Sequence, residues 1–486
     1  MKKALLYILI LLCVLGSMFG CSSFNQAKTA SPNGKSTSIP LQEPEKESTS
    51  TPLQEKGDQP NIKSDSETEK TISGTVYDGT MQTITLETKD GNRYLFIRSP
   101  NTTETGADGI LIGCPVTVIY KGTLTAESNG QNVTVVKIIV GDLPKVELSD
   151  QQQAQNILKG MTLEEKVGQM FIVRCPKEKA VAKVSEYHLG GYILFDRDFK
   201  APTKAQVIAN NQSYQRASKI PMLISVDEEG GPINRISLYQ KFRAVPFWSS
   251  QDLYKEGGLD LIISDTKEKC TLLNSLGINL NLAPVCDVST NSADYIYGRT
   301  FGKTASLTAT YIKTVVETMN SMKMGSALKH FPGYGNNVDT HTGISYDKRP
   351  YQTFETSDFL PFIAGIKANA GAVLVSHNIV TSMDAEHPAS LSLKIHRILR
   401  EELGFQGVIM TDDLYMQAIK QFTGEQQAAV TAVLAKNDLI CCTDFEVQIP
   451  AVITAVKNGT IAESQIDESV TRILLWKLKL GFQIAS

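Results

Sequence analysis

From about residue 148 onward one pattern repeats. A short run of apolar residues is followed by a polar turn and then, in most cases, by a longer stretch with apolar positions at helical spacing. The apolar runs fall at 170–173, 191–195, 222–226, 278–283, 327–329, 372–376, 408–411 and 438–441. The clearest helical stretches are 259–276, 307–322, 358–369 and 426–436. Short runs that are apolar at nearly every position fit strands buried on both faces, as in a parallel sheet covered by helices. Eight such strands alternating with helices predict the α/β class and a (β/α)8 TIM-like barrel. A doubly wound open sheet is the alternative, but no Gly-x-Gly-x-x-Gly follows any run, so its nucleotide-binding version has no support.

Upstream the pattern changes. Segments 71–77, 81–88, 94–98, 115–120 and 133–140 are rich in β-branched and aromatic residues, with Asp78-Gly79 and Asp90-Gly91 as hairpin signals. They predict a small all-β module over 71–145, of five strands, that carries no catalytic constellation. Its expected role is a spacer or docking unit. Residues 22–70 are dominated by Ser, Thr, Pro, Lys, Glu and Gln, with Phe24 the sole aromatic. Such a stretch buries too little apolar surface to offset its ordering entropy, which predicts a disordered tether spanning roughly 40 Å r.m.s.. Lys2 and Lys3 precede an apolar run at 4–15, the layout of a secretory signal peptide. The run closes on Gly20-Cys21, which resembles a bacterial lipobox. The expectation is a 1–20 lipoprotein signal peptide, a 21–70 tether lipidated at Cys21, and a protein exported and lipid-anchored to a membrane, facing outside the cytoplasm.

Composition narrows the picture. Among 486 residues, 48 are basic and 51 acidic, for a net charge of −3. That balance gives no electrostatic footprint for nucleic acid. Eight cysteines in a chain of this length are too few for a disulfide scaffold, and Cys114, Cys175, Cys270, Cys286, Cys441 and Cys442 show no metal spacing. They read as small buried apolar residues.

In a (β/α)8 barrel the chemistry lies at the C-terminal ends of the strands. The third run there is followed by Asp227-Glu228-Glu229-Gly230-Gly231, and the fourth by Asp287 and Arg299. The fifth gives Lys329-His330, the sixth Ser376-His377 and the seventh Asp412-Asp413. There is no Gly-x-Ser-x-Gly elbow, His-Glu-x-x-His helix or phosphate loop. A metal hydrolase using Asp227, His330, His377 and Asp412 stays open on these grounds, but carboxylate chemistry on a hydroxyl-rich substrate such as a glycoside fits the rim best. After the fifth run, two glycines (Gly333, Gly335) suggest a loop that can move. Asp339-Thr340-His341 makes His341 a candidate acid/base held by Asp339.

Here the chain resembles a family. Lys329-His330-Phe331-Pro332-Gly333-Tyr334-Gly335 followed by Asp339-Thr340-His341 is similar to the signature of family 3 glycoside hydrolases of the bacterial β-N-acetylhexosaminidase type. In the same order, Val226-Asp227-Glu228-Glu229-Gly230-Gly231 with Arg235, 283–288, Gly298-Arg299-Thr300-Phe301-Gly302, 388–392 and 407–414 match as well. The resemblance covers about 150–486. It implies a retaining mechanism with Asp412 as nucleophile and His341, supported by Asp339, as acid/base. Asp227, Arg235, Arg299, Lys329 and His330 match positions that bind the terminal sugar, and His377 is a further candidate for the pocket wall. Asp413, Glu229 and Asp287 are expected to be scaffold residues, and His188, His387 and His396 surface or structural. No metal or organic cofactor is implied. The loop departs from the pattern at Tyr334, where His is common, and at Asn336-Asn337, where Asp-Thr is common. It is also one residue shorter than usual, and Glu228 and Pro232 stand where Gln and Arg are usual.

The resemblance implies an exo-β-N-acetylhexosaminidase whose partner is a glycan with a terminal N-acetylglucosamine, such as a peptidoglycan fragment. The family's larger β-glucosidases carry a C-terminal domain that the last amphipathic stretch, 475–482, leaves no room for, which favours the hexosaminidase. The alternatives are a β-glucosidase or phosphorylase of the same family, or a non-catalytic wall-binding lipoprotein.

Overall fold

Eight parallel strands of two to seven residues form a ring, each built from one of the apolar runs. The computed structural model describes residues 68–484 apart from 107–108, 127–129, 142–147, 340–342 and 424–426. The signal segment, Cys21, nearly all of the tether and His341 therefore lie outside the described residues. The chain divides into two units at Pro144 and Lys145.

The first unit is a six-stranded sheet in the order Arg93–Ile97, Thr83–Glu87, Glu69–Gly79, Pro115–Gly122, Val133–Val140, Thr103–Thr105. Alternate residues such as Val76, Ile84, Leu86, Phe96, Val116 and Val118 point into one core. Arg93–Ile97 also approaches Val133–Val140, so the sheet curls toward closure. The sixth strand, Thr103–Thr105, was not expected. It runs parallel to Val133–Val140 and is exposed throughout, so it carries no apolar alternation to read. Asp78-Gly79 is not the hairpin turn either. It ends a strand whose register shifts between Val76 and Asp78, and Thr80 N–H to Thr83 carbonyl closes the turn instead.

The barrel strands are β1 (Phe171–Arg174), β2 (Gly191–Leu194), β3 (Leu223–Val226), β4 (Leu280–Asn281), β5 (Gly325–Phe331), β6 (Ala372–Val375), β7 (Val408–Thr411) and β8 (Ile440–Cys442). They pair in chain order, and β8 returns to β1. A bridge from Met410 to Leu439, with Thr411 N–H on the Leu439 carbonyl, draws β7 to β8 and all but closes the ring. Almost every strand position is buried, as the uninterrupted runs require. Helices such as Ser250–Ser275, Ala305–Ser321, Phe359–Lys367, Ala428–Leu434 and Phe445–Lys457 cover the outside. Reciprocal caps start several of them: Ser149 with Gln152, Thr162 with Glu165, Thr203 with Gln206. The last helix is Glu463–Lys479, beginning well before the apolar stretch that signalled it. The six described cysteines are all free and buried.

Two features govern the ends of this barrel. Below β1 and β2, the fully buried Lys477 donates to Gln169 Oε1 (2.7 Å) and to the Gly190 carbonyl (3.1 Å). Burial alone pulls its ammonium down to about 7. Above β4, which is only two residues long, the Asn281 side chain extends the ladder. Its Oδ1 accepts from Glu228 N–H (3.0 Å) and its Nδ2 donates to the Glu228 carbonyl (2.9 Å).

Candidate active site

The register of β5 against β6 slips between Lys329 and Phe331. A bulge of this kind re-aims side chains that would otherwise alternate. Consecutive Lys329 and His330 accordingly both enter one polar network at the strand ends. Lys329 Nζ lies 2.6 Å from Asp227 Oδ1, just past β3, and 2.6 Å from Glu229 Oε1. Arg299, on the one-turn helix Tyr297–Arg299, grips Glu229 with two bonds, Nε at 3.0 Å and an Nη at 2.7 Å. The same Nη lies 3.2 Å from His330 Nε2, while His330 Nδ1 lies 2.7 Å from Asp287 Oδ2. A guanidinium only donates and a carboxylate only accepts, so the ring is a neutral imidazole with its proton on Nδ1.

Electrostatics lock these charges. Burial would raise the Glu229 carboxyl, but Lys329 and Arg299 overcome it and hold the group well below the usual carboxylate range. Burial likewise opposes the Lys329 ammonium, yet Asp227 and Glu229 keep it above its ordinary value despite Arg299. Glu229 is thus a brace between two cations, with no free edge for proton transfer. Asp227 is the most open member of the network, with a side chain one-fifth exposed. Asp287 also braces: it accepts from the N–H groups of His330 (3.2 Å) and Tyr334 (2.7 Å) as well as the imidazole.

Glu228 explains its own departure from the family pattern. Its fully buried carboxylate accepts from the N–H groups of Arg235 and Ile236 (2.8 Å each) and Ser237 (3.1 Å), and from the Ser237 hydroxyl. Every partner is a donor, so an acceptor-only side chain fits where an amide would present N–H to N–H. This carboxylate sets the turn that carries Arg235, whose guanidinium, among the described residues, reaches only the Asn234 carbonyl, at 3.5 Å. Among the described residues no carboxylate pairs with Arg235.

Asp412 follows β7. Its N–H donates to the Val375 carbonyl (3.1 Å), tying it to the end of β6, and its Oδ1 accepts from Asp413 N–H (2.8 Å). Asp413 turns away: its carboxylate accepts from Tyr415 N–H (3.0 Å) and the Thr443 hydroxyl (2.6 Å). His377 is fully buried beneath this turn. Its Nδ1 faces the Ser390 hydroxyl at 2.7 Å and its Nε2 the Asp413 carbonyl at 3.1 Å. The structure therefore puts His377 in the scaffold beneath Asp412, not on the pocket wall. His396 is buried with Nδ1 on the Ser392 carbonyl, and His387 pairs with Asp384. Among the described residues, Asp227, His330, His377 and Asp412 do not come together as a metal donor set.

The loop after β5 is more tightly held than its glycines suggested. Gly333 (φ +128°) and Gly335 (φ +57°) take backbone conformations that favour glycine, and a Cβ on either would collide with Asp358 or Arg349. Arg349 bonds the Gly333 carbonyl (3.0 Å), Asp347 and both Asp358 oxygens. Asn337 Nδ2 bonds Asp347 Oδ2 and the Tyr334 carbonyl, both at 2.7 Å. A two-strand ribbon, Tyr346–Asp347 with Ile379–Val380, then stitches the far end of the loop to the segment after β6. None of Arg349, Asp347 and Asp358 was foreseen, because they act by packing against a neighbouring segment. Asp339 lies on this loop, partly buried. Burial, followed by the Asp339 charge, raises the Tyr295 phenol above its ordinary value.

Comparison with known proteins places this architecture. Residues 162–475 match the model described as "Glycosyl hydrolase family 3 N terminal domain". A "Beta-hexosaminidase" of Xylella fastidiosa strain M12 is 32% identical over 241 residues, covering 49% of this chain and 70% of the relative. "Beta-hexosaminidase A" of Pseudoalteromonas piscicida is 30% identical over 336 residues, covering 62% of this chain and 55% of the relative. A solved family 3 β-N-acetylglucosaminidase from Paenibacillus sp. str. FPU-7 superposes with a TM-score of 0.62 at 30% identity. That match covers 67% of this chain and 64% of the other.

Proposed function

This chain belongs to glycosyl hydrolase family 3 and is a glycoside hydrolase, and on that premise we propose that it is a retaining exo-β-N-acetylhexosaminidase. The substrate would be a glycan with a terminal β-linked N-acetylglucosamine, including peptidoglycan fragments. The observation that carries the reading is the position of Asp412. It closes β7 on the rim where Asp227, Glu229, Lys329, Arg299, His330 and Asp287 form one bonded network. Asp412 attacks the anomeric carbon and the glycosidic bond breaks as His341, held by Asp339, gives its proton to the leaving oxygen. The same imidazole then takes a proton from water, which displaces Asp412 and releases the sugar. An acid/base that is never anionic spares the nucleophile the repulsion that a second carboxylate would bring. Lys329, Arg299 and Arg235 offer donors, and Asp227 acceptors, to the hydroxyls and the N-acetyl carbonyl. The proposal extends to location: cleavage before Cys21 and lipidation of its thiol would anchor the enzyme outside the cytoplasm, and the tether would let it reach wall material.

The test is hydrolysis of an aryl β-N-acetylglucosaminide by wild type, Asp412→Asn and His341→Ala. Turnover by wild type, near-abolition in Asp412→Asn, and a loss in His341→Ala that is larger on a natural disaccharide support the reading. An inert wild type that cleaves an aryl β-glucoside, or that needs phosphate and releases a sugar phosphate, replaces it with the corresponding family activity. Release of Cys21→Ala protein from the membrane fraction tests the anchor.

A further inference from the structure

The turn after β3 is held at Glu229 by both its side chain and its main chain. The carboxylate lies between Lys329 and Arg299, and Asp227 shares Lys329 with it. The Glu229 carbonyl accepts from Lys269 Nζ (3.0 Å), a residue that no sequence motif singled out. Lys269 belongs to helix Ser250–Ser275, beyond its kink at Gly257-Gly258, and pairs one turn back with Asp265 Oδ2 at 3.3 Å. Both side chains are buried, and the ammonium also sits 4.9 Å from the centre of the Phe247 ring. The Phe247 carbonyl in turn accepts from Gly231 N–H (2.9 Å) and Asn234 Nδ2 (3.1 Å), which fixes the next stretch of the turn. A cavity of about 40 Å³ lies against the same turn, lined in part by Glu229, Thr266, Lys269, Asn281 and Arg299, with room for water.

A buried ion pair adds little stability over apolar residues of the same volume, so stability alone does not account for this one. We propose that Lys269 is a positioning residue for sugar binding: its ammonium holds the Glu229 carbonyl in place and thereby keeps Asp227 aimed at the sugar. The inference rests on the reading of Asp227 as a sugar contact. Asp265 serves by keeping the ammonium on its target, and the cavity gives the turn somewhere to go. Without the ammonium the Glu229 carbonyl loses its donor, and the main chain from Asp227 to Gly230 is free to settle into that space. Glu229 then pulls on Lys329 and Arg299, and Asp227, bonded to the same Lys329 Nζ at 2.6 Å, loses its aim. The cost falls on sugar affinity. Asp412 is tied to Val375 and Asp413, away from this helix, and keeps its place.

Affinity for the product sugar separates this role from a merely structural one. The full chain is compared with Asp265→Asn/Lys269→Met, Lys269→Arg and Asp227→Ala. The readout is the inhibition constant of the monosaccharide released from whichever aryl glycoside the wild type cleaves, N-acetylglucosamine on the reading above. Replacing both members of the pair leaves neither charge buried alone, and arginine keeps the charge and the donor while the cavity takes its extra atoms. Thermal midpoints fix a temperature at which every variant is folded. Asp265→Asn/Lys269→Gln, whose amide stops one atom short of the lysine nitrogen, gives the same comparison if methionine impairs folding. The double variant is expected to weaken inhibition about tenfold, the equivalent of one hydrogen bond, with kcat within about threefold. Lys269→Arg should stay within about threefold of wild type in inhibition. A lowered midpoint with inhibition unchanged in the double variant marks a structural pair and overturns the proposal, and so does Lys269→Arg weakening as far as the double variant. If Asp227→Ala weakens inhibition and the double variant does not, the Lys269 role alone falls. If Asp227→Ala leaves inhibition unchanged, the sugar-contact reading falls and the proposal goes with it.

Discussion

His377 Nε2 lies 3.1 Å from the carbonyl oxygen of Asp413, directly under the turn that presents Asp412. A buried imidazole between a hydroxyl and a carbonyl fixes backbone, and backbone here sets the direction of Asp412, the proposed nucleophile. His377→Ala removes both bonds and strands the buried Asp413 carbonyl and the Ser390 hydroxyl. It should cost about 2–5 kcal/mol in urea unfolding from the lost bonds and the cavity. It should lower kcat while leaving KM within about threefold, since the proposed sugar contacts stay in place.

Glu229 offers a pH test with a defined sign. Its folded pKa is depressed below the ordinary 4.5 by Lys329 and Arg299, against burial. The stability it contributes is therefore present above pH 4.5 and lost as pH falls through the folded value. Glu229→Gln leaves two buried cations short of a counter-charge and should cost roughly 3–5 kcal/mol at pH 7. The gap between wild type and variant should shrink as unfolding is followed down to about pH 3.

Lys477 should give the same direction with pH, but as a cost relieved and not as a gain lost. Burial lowers its folded pKa to about 7 from an ordinary 10.5. Below about 7 both states are protonated and the cost of the buried charge is felt in full, and stability recovers as pH rises from 7 toward 10.5. Lys477→Met should raise the thermal midpoint at pH 6 relative to wild type, offset by the lost bonds to Gln169 and Gly190, and help less at pH 9. A midpoint difference that is flat across that span would show that the amine is not titrating in place.

Gly333→Ala should fail locally. The positive φ and the collision with Asp358 oppose a methyl group, at a cost of about 1–3 kcal/mol. Because the Gly333 carbonyl also anchors Arg349, the activity loss should exceed what the stability change explains. The check is to compare kcat at a temperature where both proteins are fully folded.

The barrel was legible because its strands are buried on both faces and therefore read as plain apolar runs. Each of the eight runs became a strand, with ends shifted by a residue or a few. Thr103–Thr105 was not legible, since an exposed polar strand exists only by virtue of the partner beside it. The same division holds at the site. Asp227 and Asp412 announce themselves by following strands, and Lys329 and His330 by standing at the end of one. Arg349 and Asn281 do not, because their roles depend on which segment lies against them. The glycines after β5 misled for a related reason: sequence shows that a side chain is missing, and only packing shows why.

Asn281 carries a further consequence. By matching a backbone N–H and a backbone carbonyl of Glu228 with one short amide, it acts as a borrowed peptide unit where β4 has run out. Asp would supply no donor, Gln would overshoot by a methylene, and Leu would satisfy neither group. A saturation scan should therefore find this position nearly as intolerant as Asp412, although Asn281 serves only as a splint in the barrel wall.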